Sequence, residues 1–296
     1  MKRSFGEKCL DIVIVAIMLF LCAIMLYPYL NQLAIALNEG ADTMNGGITI
    51  FPRKPTWSNF EAILDDKSII RGMGVTVFSA ITSTLVTLIV CVGAAYGIKK
   101  KDLPYRNAII KYLMLPSYIT AGVIPVLILY SKIGFINNIL VYIFPGAFLF
   151  YYVIIIRSFL EGIPNVLEEA AYIDGANEVQ ILFKVILPLA KPILATIALW
   201  KLVAVWNDWT TTLYYTYTDE KLHSLQFVIM QMIKRNQQIA QMTTEAQMTG
   251  TAVRARPTTE SLNAAAVIVS TLPIVMTYPF LQKYFIKGVT VGAVKE

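Results

Sequence analysis

The sequence predicts an all-α membrane protein with six transmembrane helices. Two observations carry that expectation: 56% of the 296 residues are hydrophobic and only 15% charged, and the apolar residues gather into six long runs. A soluble domain needs more surface charge than this. Apolar runs of about 18 residues with few charges are long enough to cross a bilayer as helices. The runs are 12–37, 72–98, 107–131, 135–156, 193–213 and 263–285, read as one membrane domain over 1–296.

The first run follows Lys2, Arg3 and Lys8 but is too long for the apolar core of a signal peptide. With the N-terminus inside, fourteen basic residues fall on the cytoplasmic side and ten outside. The short loops decide the orientation: Lys99, Lys100, Lys101, Arg106 and Lys111 cluster before and at the start of the third run, and Lys132 stands alone after it. Both termini and the 157–192 loop are therefore expected in the cytoplasm. The loops at about 38–71 and 214–262 are expected outside. The net charge of +6 is this inside bias and calls for no nucleic acid.

Pro28, Pro116, Pro125, Pro145, Pro273 and Pro279 fall within or beside the runs. Each frees a carbonyl and bends a helix, as ordinary tolerance or as the shaping of a central cavity. In the 38–71 loop, "GGITIFPRKPTWSNFEAIL" reads as an extended, turn-rich piece with a short helix from Ser58-Asn59. In the 214–262 loop, Leu225, Val228, Ile229, Met232 and Ile233 have the spacing of an amphipathic helix. The Gln- and Thr-rich stretch after Arg235 has no clear period and reads as a loop.

Catalysis finds no support. His223 is the sole histidine, and Cys9, Cys22 and Cys91 lie in or beside apolar runs without metal-ligand spacing. Phosphate-loop, zinc-protease and nucleophile-elbow motifs are missing from the sequence. The chain is expected to be no enzyme and to hold no metal or cofactor.

The 157–192 loop carries the most unusual polar stretch, "EEAAYIDGANEVQILFKVILPLAKP". Asn165 with Glu168 predicts a capping box opening a helix over 166–174 that stops at Gly175. Asn177 with Gln180 predicts a second start, with the helix running to about Leu187 before Pro188 blocks it. Such a hairpin is too short to fold alone and leans either on the membrane surface or the protein's own helix ends, or on a cytoplasmic partner.

Glu169-Ala170-Ala171, Gly175, then Val185-Ile186-Leu187-Pro188 resembles the EAA motif of binding-protein-dependent ABC importers, with Val185 where Ile is usual. "WNDWTTTLYY", "LHSLQFVI" and the stretch from Asn263 to Glu296 are similar to the carbohydrate-uptake branch, and "GGITIFPRKPTWSNF" to its LplC-type group. The resemblance spans nearly the whole chain. It implies the type I importer permease (MetI-like) fold, in the bacterial cell membrane, with the hairpin as coupling helix. Glu168, Glu169, Ala170, Ala171, Asp174, Gly175, Leu187 and Pro188 would then meet a separate ATPase. It further implies a heterodimer with a second permease subunit, two ATPase subunits holding ATP and Mg, an extracellular binding protein and an oligosaccharide substrate. Asn236, Gln238, Gln241, Thr251 and Arg254 occupy the place of the loop that reaches the binding protein. The tail 292–296 would lie near the ATPases.

On the fifth run Lys201 and Asp208 are seven apart, on one helical face but too distant for contact. Ionisable groups at such positions usually face the bundle interior or water. With Trp206, Asn207, Trp209 and Tyr214 they either line the translocation path or serve structure and the interfacial aromatic belt. The reading is a permease subunit of an ABC importer for oligosaccharides. The alternatives are another polar solute, such as a polyol or glycerol phosphate, or an ion-coupled secondary transporter.

Overall fold

The computed structural model describes residues 5–119, 121–248 and 259–293. Among them regular structure is helical, apart from one isolated bridge between Asn38 and Pro55. In order the helices are α1 (Phe5–Ala36), α2 (Gly40–Thr43), α3 (Ser58–Leu64), α4 (Lys67–Lys99), α5 (Arg106–Met114), α6 (Val123–Lys132), α7 (Leu140–Ile143), α8 (Phe150–Glu161), α9 (Val166–Ile173), α10 (Glu178–Ile181), α11 (Leu187–Leu189), α12 (Lys191–Trp206), α13 (Leu225–Met248) and α14 (Thr259–Ala293).

Three helical stretches are long and apolar enough to cross a membrane without interruption: Lys8–Ala36, Lys67–Lys99 and Thr259–Thr277. Three further bent helix pairs raise the number of candidate spans to six. The other predicted runs are interrupted, each for a local reason. In the third, a 3-10 turn at Leu115–Tyr118 containing Pro116 precedes a 112° bend into α6. In the fourth, α7 is four residues long and Gly146, with φ +74°, turns the chain before α8. In the fifth, α12 stops at Trp206, because Asp208 Oδ1 accepts from the amides of Thr210 and Thr211 at 2.9 and 3.1 Å and so starts a new turn.

The chain divides into two compact units, Met1–Ile69 with Ile229–Leu272 and Ile70–Val228 with Pro273–Glu296. In the first, the segment after α1 is tied by buried asparagines. Asn59 Nδ2 donates to the carbonyls of Ala36 at 2.9 Å and Asn38 at 2.8 Å, satisfying carbonyls that the end of α1 leaves open. Asn38 Oδ1 accepts from the Lys54 amide at 2.8 Å. Ser261 Oγ donates to Thr43 Oγ1 at 3.1 Å. Ala264, Ala265 and Ala266 are buried in the same unit, small side chains that permit close helix approach.

The stretch after Arg235 differs from the loop expected: α13 continues to Met248. Gln, Met, Ala and Glu are good helix formers, and neither Gly nor Pro occurs from 225 to 248. Propensity sustains the helix where hydrophobic periodicity is absent.

In the second unit, α4 supplies Cys91, Val92, Ala95 and Ile98 to a core with Val153, Ile156 and Leu160 of α8 and with Ile181, Ile186 and Ile197. Gly72 lies against the chain at Leu225; a Cβ on it would sit 3.1 Å from Leu225 Cα. The amide of Leu225 donates to Thr76 Oγ1 at 2.9 Å. The Tyr142 hydroxyl joins Thr212 Oγ1 at 2.6 Å, Thr216 Oγ1 at 2.8 Å and the Leu222 carbonyl at 2.8 Å. That knot fastens a π turn at Thr212–Thr216 to α7.

Asn59→Ala leaves the carbonyls of Ala36 and Asn38 without their buried donor, at a cost of about 1–3 kcal/mol. Thermal unfolding of the detergent-solubilised protein should show a lowered Tm; an unchanged Tm would mean that water replaces the amide.

Candidate functional site

The polar hairpin is α9 followed by α10, turned at Gly175, whose φ is +79°. A side chain is strained in that left-handed conformation, which explains the glycine. At the second start the capping box forms as expected: Gln180 N donates to Asn177 Oδ1, and Asn177 N to Gln180 Oε1, each at 2.9 Å. The first box does not form, for Asn165 makes no side-chain cap. Glu168 is drawn elsewhere, by charge.

Glu168 is 7% exposed and bonded to Lys99 and, at 3.0 Å, to Lys100 Nζ. Lys100 also lies 3.1 Å from Glu178 Oε2 and donates to the Tyr172 hydroxyl at 3.1 Å. Tyr96 OH donates to Glu178 Oε2 at 2.7 Å, and Tyr172 OH donates to the other oxygen of that carboxylate. Burial pushes the Glu168 carboxyl up, but the bonds from Lys99 and Lys100 outweigh it and hold the group below its ordinary range. At Glu178 burial again opposes, and bonds from Tyr172, Tyr96 and Lys100 win in the same direction. The end of α4 therefore grips both helices of the hairpin. The sequence reading missed this latch. Its one signal was Lys99-Lys100 at the end of an apolar run, which had been absorbed into the orientation rule.

The other predicted hairpin residues divide by exposure. Glu169, Ala170, Asp174, Gly175 and Pro188 are exposed, while Ala171 and Leu187 are half-buried and pack against the core. Val166, Ile173, Val179 and Phe183 are 63–87% exposed, an apolar surface out of place on a polar loop. The second helix does not stop at Leu187 as expected. It widens into a π turn at Leu182–Ile186, where Leu187 N bonds the Leu182 carbonyl, continues to Leu189, and bends by 79° into α12. The wider turn changes which carbonyls need partners, so Pro188 fits without ending the helix.

Of the expected path residues, the structure brings Lys201 and Asp208 onto one cavity of about 290 Å³, with Tyr142, Pro145 and Thr211. Lys201 is 7% exposed and donates to the Gly146 carbonyl at 3.0 Å. Trp206 instead lines a separate apolar cavity with Val77, Ile81 and Pro273. Asn207 is exposed and donates to the Val203 carbonyl at 2.9 Å. Trp209 is half-buried. Tyr214 is exposed and meets Tyr215 edge-on, 6.1 Å between rings. Tyr142, Thr211 and Gly146 belong with Lys201 and Asp208 but were not foreseen; Tyr142 and Gly146 come from α7 and the turn before α8, and Thr211 is placed by the hydrogen bond from its amide to Asp208.

In the 236–259 stretch, Asn236 is buried and donates to Asn263 Oδ1 at 2.7 Å; it is an internal bond, not a free contact surface. Gln238 is exposed on α13. Gln241 lies on the same helix, with its side chain outside the described residues, as are Thr251 and Arg254 altogether. Gly292 and Ala293 end α14; the remaining tail residues 294–296 are outside the described residues.

Residues 88–291 match the family described as binding-protein-dependent transport system inner membrane component. The chain is 31% identical to Protein LplC of Bacillus subtilis (strain 168), over 92% of this chain and 90% of that protein. It is 27% identical to the polygalacturonan/rhamnogalacturonan transport system permease protein YtcP of the same strain, over 98% and 99%. Its fold is similar to that of a chain of a bacterial ABC transporter involved in the import of the acidic polysaccharide alginate. That likeness has a TM-score of 0.83 and 27% identity, and covers 96% of this chain and 99% of that one. The match extends through the latch, the hairpin and the Lys201 cavity, so the chain belongs to the binding-protein-dependent transport system inner-membrane components, multi-pass permeases of ABC transporters.

Proposed function

We propose that this chain is half of the translocation path of an oligosaccharide importer, driven by ATP hydrolysis on separate subunits. The observation that carries the coupling is the hairpin itself: anchored from below by Lys99 and Lys100, it presents Glu169, Asp174 and the exposed apolar residues Val166, Ile173, Val179 and Phe183 outward. Apolar side chains flanked by carboxylates on a short, rigidly held knob suit a protein groove with basic walls. An ATPase docked there would move the hairpin, and the Lys–Glu latch would pass that motion to α4. The names of the relatives support a cargo of two or more linked sugar units: polygalacturonan and rhamnogalacturonan, melibiose, raffinose and stachyose, and alginate. In this reading the N- and C-termini and the hairpin face the cytoplasm. A second permease completes the path, two ATPases hold ATP and Mg, and an extracellular binding protein delivers the sugar. Gln238 belongs to the segment that meets the binding protein, and the whole of 1–296 acts as one permease domain.

Affinity purification of the chain from its native membranes in mild detergent tests the assembly. Recovery of one ABC ATPase and a distinct permease is expected; a chain that runs alone while a control ABC complex survives would refute it.

Glu169→Lys puts the wrong charge on the docking face and should reduce ATPase co-purification and uptake together, with membrane insertion intact. Normal uptake by this variant would remove Glu169 from the docking surface.

Glu168→Gln acts on the latch, leaving buried Lys99 without its carboxylate at a cost of about 3–5 kcal/mol. Because folding holds the Glu168 carboxyl below its ordinary value, the latch's contribution is complete above the ordinary glutamate range and is lost as pH falls through the depressed folded value. Hydrogen exchange in 166–181 should accelerate in the variant at neutral pH, and in the parent protein only in acid. Equal protection in both at neutral pH would show that packing alone holds the hairpin.

A further inference from the structure

We propose that the cavity bounded by Tyr142, Pro145, Lys201, Asp208 and Thr211 is a subsite for an anionic sugar unit. Lys201 would bind the sugar's carboxylate, and Asp208 would accept its hydroxyls. The inference rests on the oligosaccharide-permease reading and names the charge of the cargo.

Lys201 is the unusual group. It is 7% exposed on a helix of the membrane region, and its ammonium has three donors against one carbonyl partner, that of Gly146 at 3.0 Å. Among the described residues no carboxylate forms an ion pair with it. A buried ammonium without a counter-charge is costly, yet this one borders an open cavity of about 290 Å³, near the size of a small ligand pocket. Gly146 is fitted to the arrangement: its left-handed φ of +74° aims the carbonyl, and a Cβ there would lie 3.4 Å from Lys201 Nζ.

Asp208 is compensated differently. Its Oδ1 accepts from the Thr210 amide and hydroxyl and from the Thr211 amide, so a new helical turn already stabilises its charge. Its other oxygen makes no hydrogen bond among the described residues and is left for hydroxyl donors. Asp208 lies beyond the end of α12 at Trp206 and, among the described residues, forms no ion pair with Lys201, so the two groups do not neutralise each other by contact although they share the cavity. The cavity is thus cationic at the Lys201 end and acceptor-rich at the Asp208 end. A uronic acid carries both complements, a carboxylate and a set of hydroxyls. A neutral sugar leaves the ammonium without an ion-pair partner.

The test uses the complete transporter complex in lipid nanodiscs, with trigalacturonate and its fully methyl-esterified form as probes of equal skeleton and different charge. Equilibrium binding should favour the acid by about tenfold or more, the scale of a charge-assisted hydrogen bond. Lys201→Gln should bring that ratio near one, Lys201→Arg should keep most of it, and Asp208→Asn should weaken both probes alike. The parent comparison needs no variant to fold: equal affinity for acid and ester overturns the subsite. A Lys201→Gln complex that keeps the ratio would reduce Lys201 to a lock on the Gly146 carbonyl. If the intact complex, with its ATPases present, binds neither trisaccharide but binds raffinose, the subsite falls and the oligosaccharide reading stands; if it binds none of the three, both fall.

Discussion

A peptide group that leaves a helix inside a bilayer must find another hydrogen-bond partner, because lipid offers none. That constraint organises this chain. The helix breaks are the places where the sequence supplies the replacement: Lys201 donates to the carbonyl of Gly146 between α7 and α8. Asp208 accepts from the amides after α12. The Tyr142 hydroxyl takes up the Leu222 carbonyl. All three repairs lie in the second unit, and the three side chains that make them, Lys201, Asp208 and Tyr142, line one cavity. The chemistry that permits irregular backbone also makes a polar surface within an apolar protein.

Electrostatics does the corresponding work at the hairpin. Two lysines at the end of α4 face two glutamates, Glu168 on α9 and Glu178 on α10. The hydroxyls of Tyr96 and Tyr172 fill the remaining acceptor positions on Glu178. Buried charges are tolerated only when paired and hydrogen-bonded, as the buried Lys99 and Glu168 are. The result is a short helix pair that could not persist alone but is held as a rigid attachment, its apolar tips left outward. Within the EAA segment, neighbouring glutamates thereby face opposite ways: Glu168 looks inward to the latch, and Glu169 is left exposed.

Much of the architecture was legible in advance. Run length and composition indicated six apolar segments, and turn chemistry located Gly175, the Asn177–Gln180 box and the start of α3. What failed did so where two local rules competed. Asn165 and Glu168 satisfy the spacing of a capping box, yet Glu168 is spent on lysines 68 and 69 residues away, a pull no local pattern records. Pro188 obeys the rule for a helix stop, yet a π turn before it absorbs the misfit. Absent periodicity suggested a loop after Arg235, yet helix-forming side chains sufficed.

By itself the sequence determined the solvent, the number of apolar runs and the motif that marks the family. These depend on composition and short spacings, which a chain carries whether folded or not. Only the tertiary structure decided which charges meet. Tyr142 reaches Thr212 across 70 residues and Lys201 reaches Gly146 across 55; neither separation has a local periodicity. A site assembled from two helix breaks exists only once those breaks are brought together in space.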